Sequence, residues 1–318
     1  MQYFHFLYYL PLLLAFYVLT TKLIQKILSY PPTPFFSLPI FGHLYPFINK
    51  PLARTLAKLS QYYGPIIMFN FGSRAVLVIS SPSAAEECFR KNDLVFADRP
   101  DSLVSKVLGY NNTALLVARY GPHWRNLRKI SAVEVFSSQR LNLLSTIRHD
   151  EVKSLIRRLY VHSSSDGEVR MVEVEMKTVF SELMYNVMMR MVTGDCSYYG
   201  DNDKGRKFMK VVEDIFMVAE LPNIGDFVPF LRKLKFQGYV EKTIREVHEK
   251  SDCFLQEMIE DQRSKMFEDK QEKGLIEVLL LLQNKEPEIY TDQIIKGLIV
   301  VSSTNKISCM HFLILMTL

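Results

Sequence analysis

The stretch IIMFNFGSRAVLVIS, residues 66–80, is where the apolar pattern of this chain drops to a period of two. It reads as two strands, Ile66–Phe71 and Ala75–Ser80, around a Gly-Ser-Arg turn: an antiparallel hairpin. Almost everything after it repeats at the helical period, over roughly 122–135, 139–160, 172–194, 204–219, 233–267, 272–284 and 291–301. Before it, residues 51–63 read as an amphipathic helix closed by Gly64-Pro65. Pro82 opens another helix, with Ser81 or Ser83 as its cap. The polar stretches 162–168 and 196–205 read as loops, and no internal repeat is visible. The expected fold is mainly α with a small N-terminal β-hairpin, an unusual layout.

The N-terminus adds a second constraint. From Tyr3 to Thr21 the chain carries no charge and is rich in Leu, Phe and Tyr. That is the length of one bilayer-spanning helix. A cleaved signal peptide is the competing reading, but no Lys or Arg precedes the run. Lys22 and Lys26 follow it, so the positive-inside rule leaves the body in the cytoplasm. Residues 29–44 come next, with Pro31, Pro32, Pro34 and Pro39 enforcing a stiff, extended hinge. Its Phe35, Phe36, Leu38 and Ile40 are too apolar for a solvated linker and predict packing on something.

At 318 residues and 48% apolar composition the chain can bury a sizeable core. The net charge of +5 is spread along the sequence. It suits anionic lipid or an acidic partner and is too weak to argue for nucleic acid. Cys88, Cys196, Cys253 and Cys309 show no CxxC spacing, so neither a disulfide framework nor a zinc site is indicated. The histidines, His123 and His311 among them, show no metal spacing.

The single tryptophan, Trp124, stands in YGPHWRNLRK with Arg125, Arg128 and Lys129 close behind. On a helix Trp124 and Arg128 share a face, and Arg125 and Lys129 form a second stripe. Indole and guanidinium are donors only, so a Trp-x-x-x-Arg pair suits a dianion such as two carboxylates on a flat apolar ring. A solvated basic helix with its tryptophan in the core is the competing reading of that motif alone.

Seven landmarks in order change the balance: YPPTPFFSLPIFGHL, FGSRAVLVISSPSAAEECF, FADRP, VARYGPHWRNLRKI, MVTGDCSYYGDN, LPNIGDFVPFLRKL and YTDQIIKGLIV. Together they resemble the cytochrome P-450 superfamily, the haem-thiolate monooxygenases, and more narrowly its plant membrane-bound, isoflavone-hydroxylase-like group. One departure is Arg119, where relatives tend to carry proline. The resemblance implies haem as cofactor, with Trp124 and Arg128 on its propionates. It implies Arg125 and Lys129 on a basic face that meets an NADPH-dependent cytochrome reductase. Residues 101–116 become a substrate-sensing loop, in which Leu103, Val104, Val107, Leu115 and Leu116 suit a small aromatic or apolar substrate. The apolar piece 221–236 is expected near the lipid surface, beside a substrate entrance. The implied location is the endoplasmic reticulum membrane, crossed once, with the body on the cytosolic face.

The same resemblance sets an expectation of incompleteness. The family's chemistry needs an axial cysteine thiolate in a glycine-containing loop, and the surroundings of Cys309, KISCMHFLI, lack that loop's glycines. Thr304 has no acid before it, so the oxygen-activating acid–threonine pair is missing as well. Glu87-x-x-Arg90 and Glu260-x-x-Arg263 spell the family's Glu-x-x-Arg in the wrong places. The expected organisation is therefore an anchor at 3–21, a hinge at 29–44, a truncated domain at 45–301 and a divergent tail at 302–318. No residue is assigned to catalysis and none to metal ligation. A working monooxygenase and a non-catalytic membrane fragment that occupies reductase or another oxygenase both stay open. An unrelated helical membrane-anchored protein fits the ordered landmarks poorly.

Overall fold

The computed structural model describes residues 13, 16–17, 19–20, 23, 30–34, 36–47, 52–135, 137–165, 168–169, 173–194, 203–221, 223–234, 238–266 and 273–301. They fall into two compact units: Met1–Ala97 with Pro222–Gly238, and Asp98–Leu221 with Tyr239–Leu318.

The first unit is organised by the hairpin. Strands β1 (Ile66–Phe71) and β2 (Arg74–Ile79) pair antiparallel with Phe71 opposite Arg74, so the turn is two residues and Arg74 belongs to the strand rather than the turn. Gly72 fits that turn for two reasons. Its φ is +57°, and a Cβ there would stand 2.2 Å from the Phe227 carbonyl oxygen. Alternation along β1 buries Ile67, Phe69 and Phe71 on one face, where Leu56 and Leu59 of helix α1 (Leu52–Tyr63) and Phe227 pack against them. The proline hinge packs on the same hairpin through its backbone. Met68 N–H donates to Pro32 O (3.1 Å), and Gly42 bridges Phe71. His43 is fully buried, and its Nδ1 accepts from Asn70 N–H at 2.8 Å. The hinge's own apolar side chains are only partly accommodated, since Ile40 stays 68% exposed. Helix α2 (Pro82–Glu86) is capped by Ser81, whose hydroxyl accepts from Ala84 N–H, and runs on as a π turn at Glu87–Lys91. Helix α3 (Asp93–Phe96) follows.

The expected span at 3–21 lies outside the described residues except for Leu13, Phe16, Tyr17, Leu19 and Thr20, all helical. Among the described residues no helix is long and apolar enough to cross a membrane. The tail at 302–318, with Cys309 and His311, also lies outside the described residues, as do residues 196–202 of the second polar loop, Cys196 among them.

The second unit is helical: α4 (Leu103–Val107), α5 (Pro122–Ile130), α6 (Ser138–Leu143), α7 (Ser145–Ser163), α8 (Met176–Thr193) and α9 (Asp203–Ala219). A minimal pair, β3 (Ser164–Ser165) with β4 (Glu168–Val169), sits in what read as a loop. After α10 (Pro229–Lys233) of the first unit come α11 (Gly238–Ser264), α12 (Leu275–Lys285) and α13 over 292–301. One main core joins Leu127 and Ile130 of α5 to Met188, Met189 and Val192 of α8. It continues through Leu255 and Met258 of α11, Leu279 of α12, and Ile295 and Ile299 of α13.

Three of the expected helices are interrupted or divided. The expected helix 122–135 becomes α5 followed by a π turn, Ser131–Val135, where the Ser131 hydroxyl donates to the Leu127 carbonyl (2.9 Å) in competition with the backbone ladder. The expected 139–160 breaks at Leu144 (φ −88°, ψ 12°), which turns inward with Ile147 to pack on Val187 and Met191. The expected 233–267 divides between α10 and α11.

Candidate functional site

Helix α5 carries the candidate site. Gly121 is extended at its N-cap, Pro122 occupies the first turn, and Leu127 and Ile130 lock one side into the core. The opposite side presents a ladder of rings and cations. The Arg128 guanidinium lies 5.4 Å from the Trp124 ring centre, Trp124 is 5.5 Å from Tyr120, and Arg125 is 5.8 Å from Tyr120. Trp124 is half-buried, whereas Arg125, Arg128 and Lys129 are exposed. Among the described residues no carboxylate forms an ion pair with any of the three cations. Arg128 and Lys129 also sit in the last turn, where positive charge complements the helix dipole. The structure thus keeps Trp124 and Arg128 on one face, as their spacing requires. It adds Tyr120, a member that the sequence reading missed and that stands four residues before Trp124.

The loop 101–118 leads into α5. Leu103 is buried with Val218 and Ile244, and Val104 and Val107 pack against that cluster. Leu115 packs on the main core, and Leu116 is exposed. Three of the five expected substrate-sensing residues are therefore engaged with α9 and α11. Arg119 donates to Asp101 (3.1 Å), which also accepts from Asn112 (3.2 Å). Arg99 of the FADRP landmark donates from Nε to the Leu116 carbonyl (3.3 Å).

A polar cluster beside this loop was invisible from sequence. Lys296 of α13 is buried and donates to Asp252 Oδ1 of α11 at 2.7 Å, and the Tyr110 phenol donates to the same oxygen at 3.0 Å. The His248 ring meets Tyr110 edge-on at 5.2 Å. Burial would raise the Asp252 pKa, but the hydrogen bonds from Lys296 and Tyr110 outweigh it and hold the carboxyl below its ordinary range. Burial lowers the His248 pKa. Burial and the Asp252 charge push Tyr110 far upward, so the phenol stays a donor. The one available sequence signal was a lysine inside the apolar run QIIKGLIV.

Neither stray Glu-x-x-Arg forms its pair: Arg90 binds Glu86 (2.8 Å), and Arg263 binds Asp292 (2.9 Å) and Gln283. Cys88 is half-buried and Cys253 exposed, with no disulfide between them. Among the described residues no three His, Cys, Asp or Glu side chains cluster as metal ligands. In the first unit, residues 223–234 lie against the hairpin, with Ser73 N–H donating to Phe227 O (2.8 Å) and Arg74 over the Phe227 ring. Phe230 and Leu234 are left 63% and 60% exposed.

Comparison with known proteins gives this geometry a family. Cytochrome P450 81Q32 of Catharanthus roseus is 47% identical over 274 residues, covering 85% of this chain and 53% of that protein. Isoflavone 3'-hydroxylase of Medicago truncatula is 39% identical over 305 residues, covering 92% of this chain and 60% of that protein. The chain thus spans little more than half the length of these relatives. A zebrafish cytochrome P450 structure with progesterone shares the fold with a TM-score of 0.61 at 18% identity, over 80% of this chain and 56% of that one. The sequence profile of the family described as Cytochrome P450 matches residues 31–301, and the chain belongs to that family.

Proposed function

We propose that the chain forms part of a haem-dependent monooxygenase that hydroxylates small aromatic or apolar plant metabolites, isoflavonoid-like in shape, with electrons from NADPH delivered by a reductase. The observation that carries this reading is the donor-only pair on α5: Arg128 over Trp124, anchored through Leu127 and Ile130, with no carboxylate pairing the helix's cations among the described residues. The family's cofactor is haem, whose two propionates match that donor set. Trp124 and Arg128 would hold them. Arg125 and Lys129, exposed on the same helix, would meet the reductase. Bound haem supplies oxygen activation at its iron. Of the chain's own residues, Trp124 and Arg128 would grip the propionates by hydrogen bonds from the indole and the guanidinium. The isoflavone hydroxylases among the relatives support the substrate class.

In the same reading, residues 3–21 anchor the chain in the endoplasmic reticulum membrane with the body on the cytosolic face. The uncharged run supports this, as do the exposed Leu13, Phe16, Leu19 and Leu23 on helical backbone and the exposed Phe230 and Leu234.

Haem titration of the purified chain is the test. Arg128→Ala should weaken haem binding about ten- to a hundredfold, the effect of losing hydrogen bonds to a charged group, and an unchanged affinity rejects the propionate role. A carbon monoxide difference spectrum on reduced microsomes separates the alternatives. A thiolate-type Soret shift means a working iron site. No shift, with reductase still retained, favours a non-catalytic anchored partner of reductase or of other oxygenases.

A further inference from the structure

Tyr110, Asn111 and Asn112 adopt φ values of 50°, 57° and 63° in succession, a full left-handed turn made without glycine. Side chains with a Cβ disfavour that region one residue at a time, and an aromatic residue disfavours it more than asparagine. A strained turn persists only where its surroundings over-determine it. The ends of the loop are fastened by ordinary means. Leu103 is buried on one side, and on the other the Thr113 carbonyl lies 2.8 Å from His123 Nε2. Just before the turn, Gly109 lies so close to the Ser105 carbonyl oxygen that an added Cβ would stand 2.3 Å from it. The first residue of the turn is tied to α11 and α13 by the Tyr110 phenol on Asp252 Oδ1, the oxygen that Lys296 also grips.

We propose that Tyr110 seated on the Asp252–Lys296 pair is a latch that holds the loop 101–118 in its strained form, and that releasing the phenol lets the loop relax and open. The acceptor is built for repeated use. Lys296 is buried and fixes the carboxylate, while the Asp252 side chain keeps 35% of its surface in solvent. Water can therefore replace the phenol on the oxygen when the latch lifts, so the open state does not strand a buried charge. The backbone bonds that define the closed loop are Asn111 N–H to Lys106 O, Ala114 N–H to Gly109 O and Ala118 N–H to Ala114 O, and they report its opening directly. This inference goes beyond the proposed function and needs no haem, so either can fail without the other.

The test is amide hydrogen exchange on the purified full chain. Tyr110→Phe removes only the hydroxyl and should speed exchange over 109–118 about tenfold, the effect of one hydrogen bond to a charged group, with residues 254–262 of α11 unchanged. Asn111 is exposed, and Asn111→Gly frees the backbone of the turn without touching the phenol. Added to Tyr110→Phe, it should slow exchange again by about threefold, a rescue that a purely local packing defect would not show. Loop exchange within about twofold of the original in Tyr110→Phe overturns the latch, as does an absence of rescue. Loop amides that already exchange like an unstructured peptide in the unaltered chain also overturn it, because nothing is then held.

Discussion

The second unit handles positive charge in two opposite ways. On α5, Arg125, Arg128 and Lys129 stand exposed, Arg125 over the Tyr120 ring and Arg128 over the Trp124 ring, with no carboxylate pairing them among the described residues. In the core, Lys296 is buried and spends its charge on Asp252 at 2.7 Å. The contrast follows from solvation. An ammonium taken out of water must find a partner or cost several kcal/mol, whereas an exposed cation is already satisfied by water. Cations that water keeps available, aligned beside a donor-only indole, are what the proposed anion site on α5 requires. A cation sealed against its own carboxylate marks internal architecture.

Substitutions can break that contrast, and the largest effect belongs to the core that holds α5 in place. Leu127→Ala should cost about 2–5 kcal/mol in urea unfolding, because a fully packed side chain leaves a cavity. A loss below about 1 kcal/mol would mean that α5 is not seated as described. Lys296→Met comes next, at about 2 kcal/mol. That lies below the range for fully buried pairs because Asp252 retains solvent contact. Adding Asp252→Asn should recover part of the loss, since the orphaned charge is then gone, and a strictly additive double variant would show that the two residues do not interact.

Acid should act in the same direction through two groups. The native His248 pKa lies below its unfolded value of about 6.5, so the unfolded chain binds the extra proton first and stability falls as pH drops below that value. Asp252 is also depressed, so its contribution is present above about pH 4 and is lost as pH falls further. Thermal melts from pH 8 to 4 should show the first loss, His248→Gln should flatten it, and a profile indifferent to that change would remove His248 from the account. The smallest effect is expected on the surface. Arg125→Ala and Lys129→Ala should change stability by no more than about 0.5 kcal/mol while weakening reductase retention. A large stability loss there would place these cations in the architecture after all.

The elements that the sequence announced are those whose reasons are local. The hairpin at 66–79 could be read because alternation and a glycine-containing turn lie within fifteen residues, and only β2 shifted, by one residue at each end, to Arg74–Ile79. Trp124 and Arg128 could be paired because four residues on a helix is one face, whatever surrounds it. The break at Leu144 could not be read, because no proline or glycine marks it and its cause is the burial of Leu144 and Ile147 on α8. The loop residues Leu103, Val104 and Val107 looked ready for a ligand because apolar side chains in a loop have no visible partner in one dimension. Their partners, Val218 and Ile244, stand more than a hundred residues away.

Short-range physics in the amino-acid order therefore determined the helical character, the hairpin, the donor-only face of α5 and the family to which they belong. Tertiary structure alone decided that Tyr110 and Lys296, 186 positions apart in the chain, share one oxygen of Asp252 at the start of a left-handed turn. A hydrogen bond depends on distance in space, and the sequence carries no term for a distance that only the packed helices create.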